Sequence, residues 1–192
     1  KIMIRPSENE SNPQGELMSM MGFGNTKNVE DEVEIMTSRD MYLNLVSDLN
    51  LQTEYRKKSA LRWVGQYQKR DLSVVYPSMY LDTLTSGHRI SIKVRNNDYV
   101  VKVRKSRFNT QKYIVTDLTV PFNTIVGMLH FEINDSVVSG DKYIIRTMSK
   151  LVAANHFQRL IAATPLKKES NVITISTTTD LPRRAIDLIN RQ

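Results

Sequence analysis

The strongest constraint on the fold is a pair of alternating segments joined by Asn96 and Asn97. Asparagine tolerates the positive φ of a two-residue turn, so residues 89–95 and 98–104 are predicted to form a β-hairpin. Side chains alternate across a strand, which gives the hairpin an apolar face formed by Ile90, Ile92, Val94, Tyr99, Val101 and Val103. Its other face carries Arg89, Lys93, Arg95, Asp98, Lys102 and Arg104. We expect a half-buried hairpin whose charged face is directed to solvent.

Three segments have helical patterns. In residues 28–49 apolar side chains recur three, four or seven positions apart, with Asn28 as the predicted N-cap and acidic residues in the first turn. A second helix is predicted for residues 150–163. A third begins near Asp180, with Pro182 in its first turn, where a missing N–H is harmless.

The remaining patterns predict strands and one long loop. The predicted strands are residues 1–5, 72–76, 113–120, 128–133, 143–147 and 171–177, and the loop is residues 6–27. Together these elements predict an α+β fold in which a mixed β-sheet packs against the helices. We expect a single domain over residues 1–192, with a core at 1–58 and 143–192, a β-rich insertion at about 60–140 and a truncated C-terminal helix.

Basic charge is concentrated in the middle of the chain. The net charge is +7, but residues 53–112 carry fourteen basic and four acidic groups, whereas residues 1–52 carry four basic and nine acidic groups. A basic segment of this kind attracts phosphate, anionic lipid or acidic polymer, although a solvated surface explains the same charges. The candidate polyanion-binding residues are Arg89, Lys93, Arg95, Lys102 and Arg104.

The motifs of several enzyme classes are missing from the sequence. It contains no cysteine, which excludes disulfides, thiolate zinc sites and a cysteine nucleophile. It also lacks a phosphate-binding loop and a GxSxG motif, and His88, His130 and His156 are isolated. We expect no catalytic, cofactor or metal site. Nucleic acid is not an expected partner either, because no recognition motif accompanies the basic residues.

The chain resembles the chain-length determinant proteins, the Wzz/Wzc-type polysaccharide co-polymerases, in two segments. Residues 28–55 match the family's first-helix motif at Asn28, Glu30, Glu32, Glu34, Ser38, Arg39, Leu49, Asn50 and Leu51. Residues 171–190 are similar to its second signature at Asp180, Pro182, Ala185 and Asn190, with Leu181 as one extra residue. A weaker similarity covers residues 120–133, and the whole resembles the Bacteroidetes-like branch of the family.

The resemblance implies a function based on assembly. It implies the extracytoplasmic domain of a membrane-anchored regulator of exported polysaccharide chain length, such as that of capsule or exopolysaccharide. The expected location is the periplasmic face of the bacterial inner membrane, with a membrane helix on each side of the domain. The expected partners are further copies of the chain, a polysaccharide polymerase and the growing polysaccharide. This fragment is expected not to be an enzyme, although one branch of the family continues into a cytoplasmic tyrosine autokinase.

Other interpretations remain open from the residues. The start at Lys1 and the helical pattern that ends at Gln192 suggest a piece of a longer protein. It is then either a chain-length regulator, the sensory ectodomain of a tyrosine autokinase, or a polyanion-binding module. A candidate contact between protomers consists of Glu30, Glu32, Glu34 and Arg39. The three glutamates are also explained as partners of the helix dipole.

Overall fold

The computed structural model describes residues 2–3, 23–77, 79–135, 137–166 and 172–191. Its helices are α1 (Phe23–Thr37), α2 (Arg39–Asp48), α3 (Tyr80–Thr83), α4 (Lys150–Gln158) and α5 (Pro182–Asn190). Its strands are β1 (Ile2–Met3), β2 (Thr53–Ser59), β3 (Arg62–Gln66), β4 (Leu72–Val75), β5 (His88–Val94), β6 (Tyr99–Arg104), β7 (Thr110–Val115), β8 (Phe122–Thr124), β9 (Gly127–Ile133), β10 (Lys142–Thr147), β11 (Ile161–Pro165) and β12 (Val172–Thr177). The predicted α+β class is confirmed.

The strands form three antiparallel sheets. The largest has the order β3-β2-β10-β5-β6-β7, and two smaller ones have the orders β4-β9-β8 and β1-β12-β11. We expected residues 1–5 and 171–177 to belong to one sheet, and they do: β1 pairs with β12, with Ile2 opposite Ile173. The prediction of one mixed sheet is wrong. The short turns between consecutive strands favour antiparallel pairing, whereas parallel pairing needs a long crossover connection.

The predicted hairpin is present with the predicted register. Ser91 lies opposite Lys102 and Lys93 lies opposite Val100. The turn is closed by a hydrogen bond in which the Arg95 N–H donates to the Asp98 carbonyl at 2.9 Å. The apolar face of the hairpin is buried, in one cluster with side chains from the β4-β9-β8 sheet. This cluster is the main core of the molecule.

A second core joins the helices. Tyr42 and Leu45 of α2 pack with Phe157 of α4 and Leu188 of α5 in one cluster, and all four are nearly inaccessible to solvent. Residues 28–55 and 171–190 therefore contribute to one core, although more than a hundred residues separate the two segments. A smaller cluster links α1 to β11 and β12 through Val29, Met36, Ala163 and Ile173.

The predicted helix over residues 28–49 is two helices. The first begins at Phe23, and the chain breaks at Ser38, whose hydroxyl accepts a hydrogen bond from the Met41 N–H at 3.4 Å and caps α2. Asn28 therefore lies inside α1 and is not an N-cap, and residues 23–27 are helical where we predicted a loop. A serine side chain competes for backbone N–H groups, and here it starts a new helix within a continuous apolar pattern.

The predicted helix over residues 150–163 is also too long. It ends at Gln158, and Ile161–Pro165 forms a strand in which Ala163 lies opposite Ile175 of β12. The pairing gives the backbone of β12 a partner on each side, which a continued helix would not provide. Strands β2 and β3 were not predicted. The predicted loop over residues 6–22 lies outside the described residues.

The two faces of the hairpin should differ sharply in their tolerance of substitution. Val101 is fully buried, so Val101→Asp places an unpaired charge in the core and should lower the free energy of unfolding by several kcal/mol or prevent folding. Lys102→Gln, one residue away on the exposed face, should change it by less than about 0.5 kcal/mol. Chemical denaturation of both variants would test this. Equal damage from the two changes would contradict the register.

Candidate functional site

One face of the six-stranded sheet is lined by basic side chains. The pairing registers of β2, β10, β5, β6 and β7 place nine of them on the same side of the sheet. They are Arg56, Lys58, Arg89, Lys93, Lys102, Arg104, Lys112, Lys142 and Arg146, and we call this surface the basic face. Lys142 is half-buried and the other eight are exposed. The opposite side of the sheet contributes to the main core.

Like charges lie directly opposite one another on the basic face. Arg89 has Arg146 on one side and Arg104 on the other, so three arginines form a row across adjacent strands. Lysines face each other where β5 meets β10 and where β6 meets β7. Like charges opposite each other destabilise a sheet. None of the nine has an ion-pair partner among the described residues.

Two carboxylates near the sheet, Asp71 and Asp141, form ion pairs on its other side. Lys57, on the opposite side of β2, binds Asp71 at 2.7 Å and Asp141 at 3.0 Å. Tyr143 donates its hydroxyl hydrogen bond to the same two carboxylates. Burial opposes the ionisation of Asp71 and Asp141, but the hydrogen bonds from Lys57 and Tyr143 outweigh it and hold the pKa of both carboxyls below the ordinary value. Both are therefore charged near neutral pH, yet committed to Lys57.

Glu54 also lies on the basic side of the sheet, where the strand register places it opposite Arg146. Its carboxylate binds the Arg184 guanidinium of α5 at 3.3 Å and lies 3.9 Å from Nε2 of His156. The Arg184 side chain is only 9% exposed, so this buried pair joins α5 to β2. Glu54 is therefore engaged by a buried arginine from outside the basic face.

Three adjoining grooves cross the basic face. The first has a volume of about 350 Å³ and is lined by Arg89, Arg104, Arg107 and Arg146 together with Lys105. The second, of about 390 Å³, holds four of the lysines. The third, of about 300 Å³, shares Arg89 and Arg146 with the first and Trp63 with the second. The grooves adjoin one another through these shared residues. The Glu54 carboxylate also lines the third groove, so the path across the sheet is mainly cationic.

A hydrogen-bonded clamp fixes the strands at the arginine end of this path. The Tyr76 hydroxyl lies 2.7 Å from Nε2 of His88 and 2.6 Å from Oγ1 of Thr147. His88 and Thr147 are directly opposite each other, and the next pair along is Arg89 and Arg146. Burial, with a smaller effect of the Lys105 charge, lowers the pKa of His88 to about 4, so its ring is neutral at pH 7.

Gly87 allows the close approach of the strands at this clamp. An ideal Cβ built on Gly87 would lie 2.5 Å from the carbonyl oxygen of Thr147, too close for any side chain. The turn into β5 therefore requires glycine here. The clamp and this contact hold the backbones that carry Arg89 and Arg146 in a fixed relation.

The predicted polyanion-binding residues all lie at this surface. Arg89, Lys93, Lys102 and Arg104 are among its nine cations, and Arg95 lines the second groove from the end of the hairpin. Arg95 differs from the other four because it has an ion-pair partner, Asp98, at 3.7 Å. Sequence reasoning missed the five cations from β2, β7 and β10. The same alternation in the segment Lys142–Arg146 was readable, but its position beside β5 was not.

The predicted contact between protomers lies elsewhere. Glu30, Glu34 and Arg39 are exposed and Glu32 is half-buried. The three glutamates lie seven or more residues after the start of α1, so they do not occupy a helix first turn as we predicted. Arg39 is the first residue of α2. Because the helix begins earlier than expected, the dipole explanation for the three glutamates is wrong. Their role at an interface stays a prediction.

Comparison with known proteins does not extend the sequence resemblance. No protein-family model matches the chain, and no curated protein matches it significantly. Within the described residues, no helix combines the length and the apolar character needed to span a bilayer. The same residues contain no cluster of three side chains suited to holding a metal ion.

Removal of one charge from the arginine row should stabilise the fold. Arg89→Gln removes two like-charge oppositions, so we expect the free energy of unfolding at low salt to rise by roughly 0.2–1 kcal/mol. The gain should shrink at high salt, which screens exposed charges. Arg62→Gln is the matched control, because Arg62 is exposed and lies opposite Ser59. Denaturation of both variants at two salt concentrations measures the difference. A salt-independent loss of stability in Arg89→Gln would contradict uncompensated repulsion.

Proposed function

We propose that this chain is a non-catalytic domain that binds a polyanion on its basic face. The observation that carries the proposal is the set of nine basic side chains on one open sheet surface without a carboxylate partner among the described residues. Repulsion across such a surface costs folding free energy, and a bound anion relieves it. The burial of the opposite side of the sheet keeps these charges in place before the ligand arrives.

The shape of the basic face favours an extended ligand. Six strands spaced by about 4.8 Å give the sheet a width of roughly 24 Å from β3 to β7. The three grooves adjoin one another along this width, so a polymer can contact the arginine and lysine ends together. Contacts spread along a chain add avidity that a small anion does not obtain.

On the described strands of the six-stranded sheet only Trp63 is an exposed aromatic ring, and Phe108 is exposed in the turn after β6. Two separate rings of this kind favour a ligand other than nucleic acid. Trp63 is 38% exposed and lies opposite Lys58 at the edge of the sheet. Proteins that bind single-stranded nucleic acid use a series of aromatic side chains on which successive bases stack. Tyr99 and Tyr113 of the neighbouring strands pack against the main core instead.

Loss of two lysines should weaken binding of a polymeric anion. We expect Lys93→Gln/Lys102→Gln to lower the affinity for polyglutamate and for polyphosphate by about 2- to 30-fold, since each exposed charge pair contributes roughly 0.2–1 kcal/mol. Titration calorimetry at low and moderate salt measures this. Arg62→Gln/Lys69→Gln removes the same charge outside the basic face and is the matched control. Absence of polymer binding to the unaltered chain, or equal losses in both variants, would refute the proposal.

The biological setting that we propose is regulation of exported polysaccharide length at the periplasmic face of the bacterial inner membrane. Two segments with the resemblance, in α1–α2 and in β12–α5, meet in the helical core, which supports their belonging to one structural unit. In this setting the domain acts by assembly with further copies of itself, next to a polymerase and its growing product. An acidic product would be a ligand for the basic face.

Charge reversal on α1 tests this setting. In the bacterium that encodes the chain, Glu32→Lys/Glu34→Lys should shift the polysaccharide length distribution on a gel at unchanged protein level, because it inverts the charge of the proposed contact between protomers. Asp48→Lys/Glu132→Lys changes two exposed carboxylates elsewhere and should leave the distribution unchanged. An unaltered distribution in the first variant would remove the acidic contact. Unaltered lengths after deletion of the gene would refute the regulatory role.

A further inference from the structure

The two ends of the basic face differ in the type of cation. The first groove is lined by four arginines and Lys105, whereas the second holds four lysines and Arg95. Arginine and lysine are not equivalent, because a guanidinium presents its N–H groups as a rigid planar fork and an ammonium is a compact point charge. The lysine end suits diffuse attraction to a polymer. The arginine end suits an anion of defined geometry.

The arginines are set close together. Arg146, Arg89 and Arg104 occupy one row on three adjacent strands, and side chains directly opposite each other have Cβ atoms about 5 Å apart. Arg107 reaches the same groove from the turn that follows β6. Three or four guanidinium groups can therefore contact one small anion in the first groove.

The backbone around this groove is held in place on both sides. The clamp of Tyr76, His88 and Thr147 fixes β5 against β10 immediately beside Arg89 and Arg146. On the other side, the turn after β6 is closed by hydrogen bonds between residues 105–106 and Asn109, and the Arg104 Nε donates to the Ser106 carbonyl at 3.3 Å. The ligand therefore meets a site whose backbone geometry is already formed, which reduces the entropy cost of binding.

We infer that the arginine end of the basic face is a binding site for a phosphate group. One guanidinium fork occupies both oxygens of a carboxylate, whereas a phosphate group offers enough acceptor oxygens and charge for several forks at once. Three arginines in one row therefore favour phosphate over carboxylate. The inference rests on the proposed function and deepens it, because it assigns a ligand chemistry to one end of the same surface.

A comparison of two small anions distinguishes a phosphate site from general electrostatic attraction. By calorimetry, the unaltered chain should bind inorganic pyrophosphate at least about tenfold more tightly than citrate, which carries carboxylates only. Arg89→Lys/Arg146→Lys keeps the charge but removes two forks, and should abolish this preference. Lys93→Gln/Lys102→Gln is the matched control and should change pyrophosphate affinity by less than about threefold.

A lipid arm distinguishes the source of the phosphate. Sedimentation with phosphatidylcholine vesicles that contain phosphatidic acid tests a lipid headgroup, and pyrophosphate tests a soluble phosphate. The vesicle experiment is motivated by Phe108, which is 93% exposed beside Arg107 and offers an apolar ring to a bilayer. A loss of binding in the Arg89→Lys/Arg146→Lys variant in either arm supports the site. Insensitivity to this change in both arms, or equal affinity for pyrophosphate and citrate with no binding to vesicles, overturns it.

Polyglutamate binding, measured in parallel, keeps the two proposals apart. If polyglutamate binds and pyrophosphate and the vesicles do not, the phosphate site is refuted and the polyanion proposal stands. If pyrophosphate binds with the expected arginine dependence and polyglutamate does not bind, the phosphate site stands and the proposal of general polyanion binding is refuted.

Discussion

Burial of one face of the six-stranded sheet holds the charges of its other face together. Ile90, Val101 and Ile145 are completely buried, and each is followed or preceded along its strand by a cation of the basic face. Alternation along a strand makes the two faces inseparable, because a one-residue slip would move every cation into the core. Burial of the core thus offsets the electrostatic repulsion among the cations of the basic face.

The rest of the molecule leaves this repulsion unrelieved. Asp71 and Asp141 are committed to Lys57 on the opposite side of the sheet, and Glu54 is engaged by Arg184 of α5. Like charges kept apart from nearby carboxylates have little value for stability, whereas they are useful for attracting and orienting an anionic partner. The Tyr76 clamp adds order at the arginine end, where the strands carry three arginines in a row. The geometry is therefore better explained by binding than by folding.

Local signals explain what could be predicted from the sequence. The Asn96–Asn97 turn fixed the register of β5 and β6, because a two-residue loop leaves only one pairing of the flanking strands. The break at Ser38 was hidden because apolar residues at helical spacings continue from α1 into α2, although the two helices pack into different clusters. The strand at 161–165 depends on pairing with β12, a contact between distant segments that helical periodicity cannot reveal.

The candidate site was predictable in part for the same reason. Four of the nine cations lie on the hairpin, where alternation and a turn define a face. The others, such as Arg56 and Arg146, join that face only because β2 and β10 pair beside β5 across long stretches of chain. The arginine and lysine ends likewise arise from strand order, so neither composition nor spacing could indicate them.

The most direct test of the account is a map of where a polyanion touches the folded chain. Titration of isotope-labelled protein with polyphosphate, followed by backbone amide NMR, should shift the signals of Ser91, Val100 and Ile144, which lie among the cations of the basic face. The shifts should weaken as salt is added, because the contacts are electrostatic. Shifts confined to α1 and α2, or saturating polymer without any change on the six-stranded sheet, would contradict the claim that this surface is the binding site.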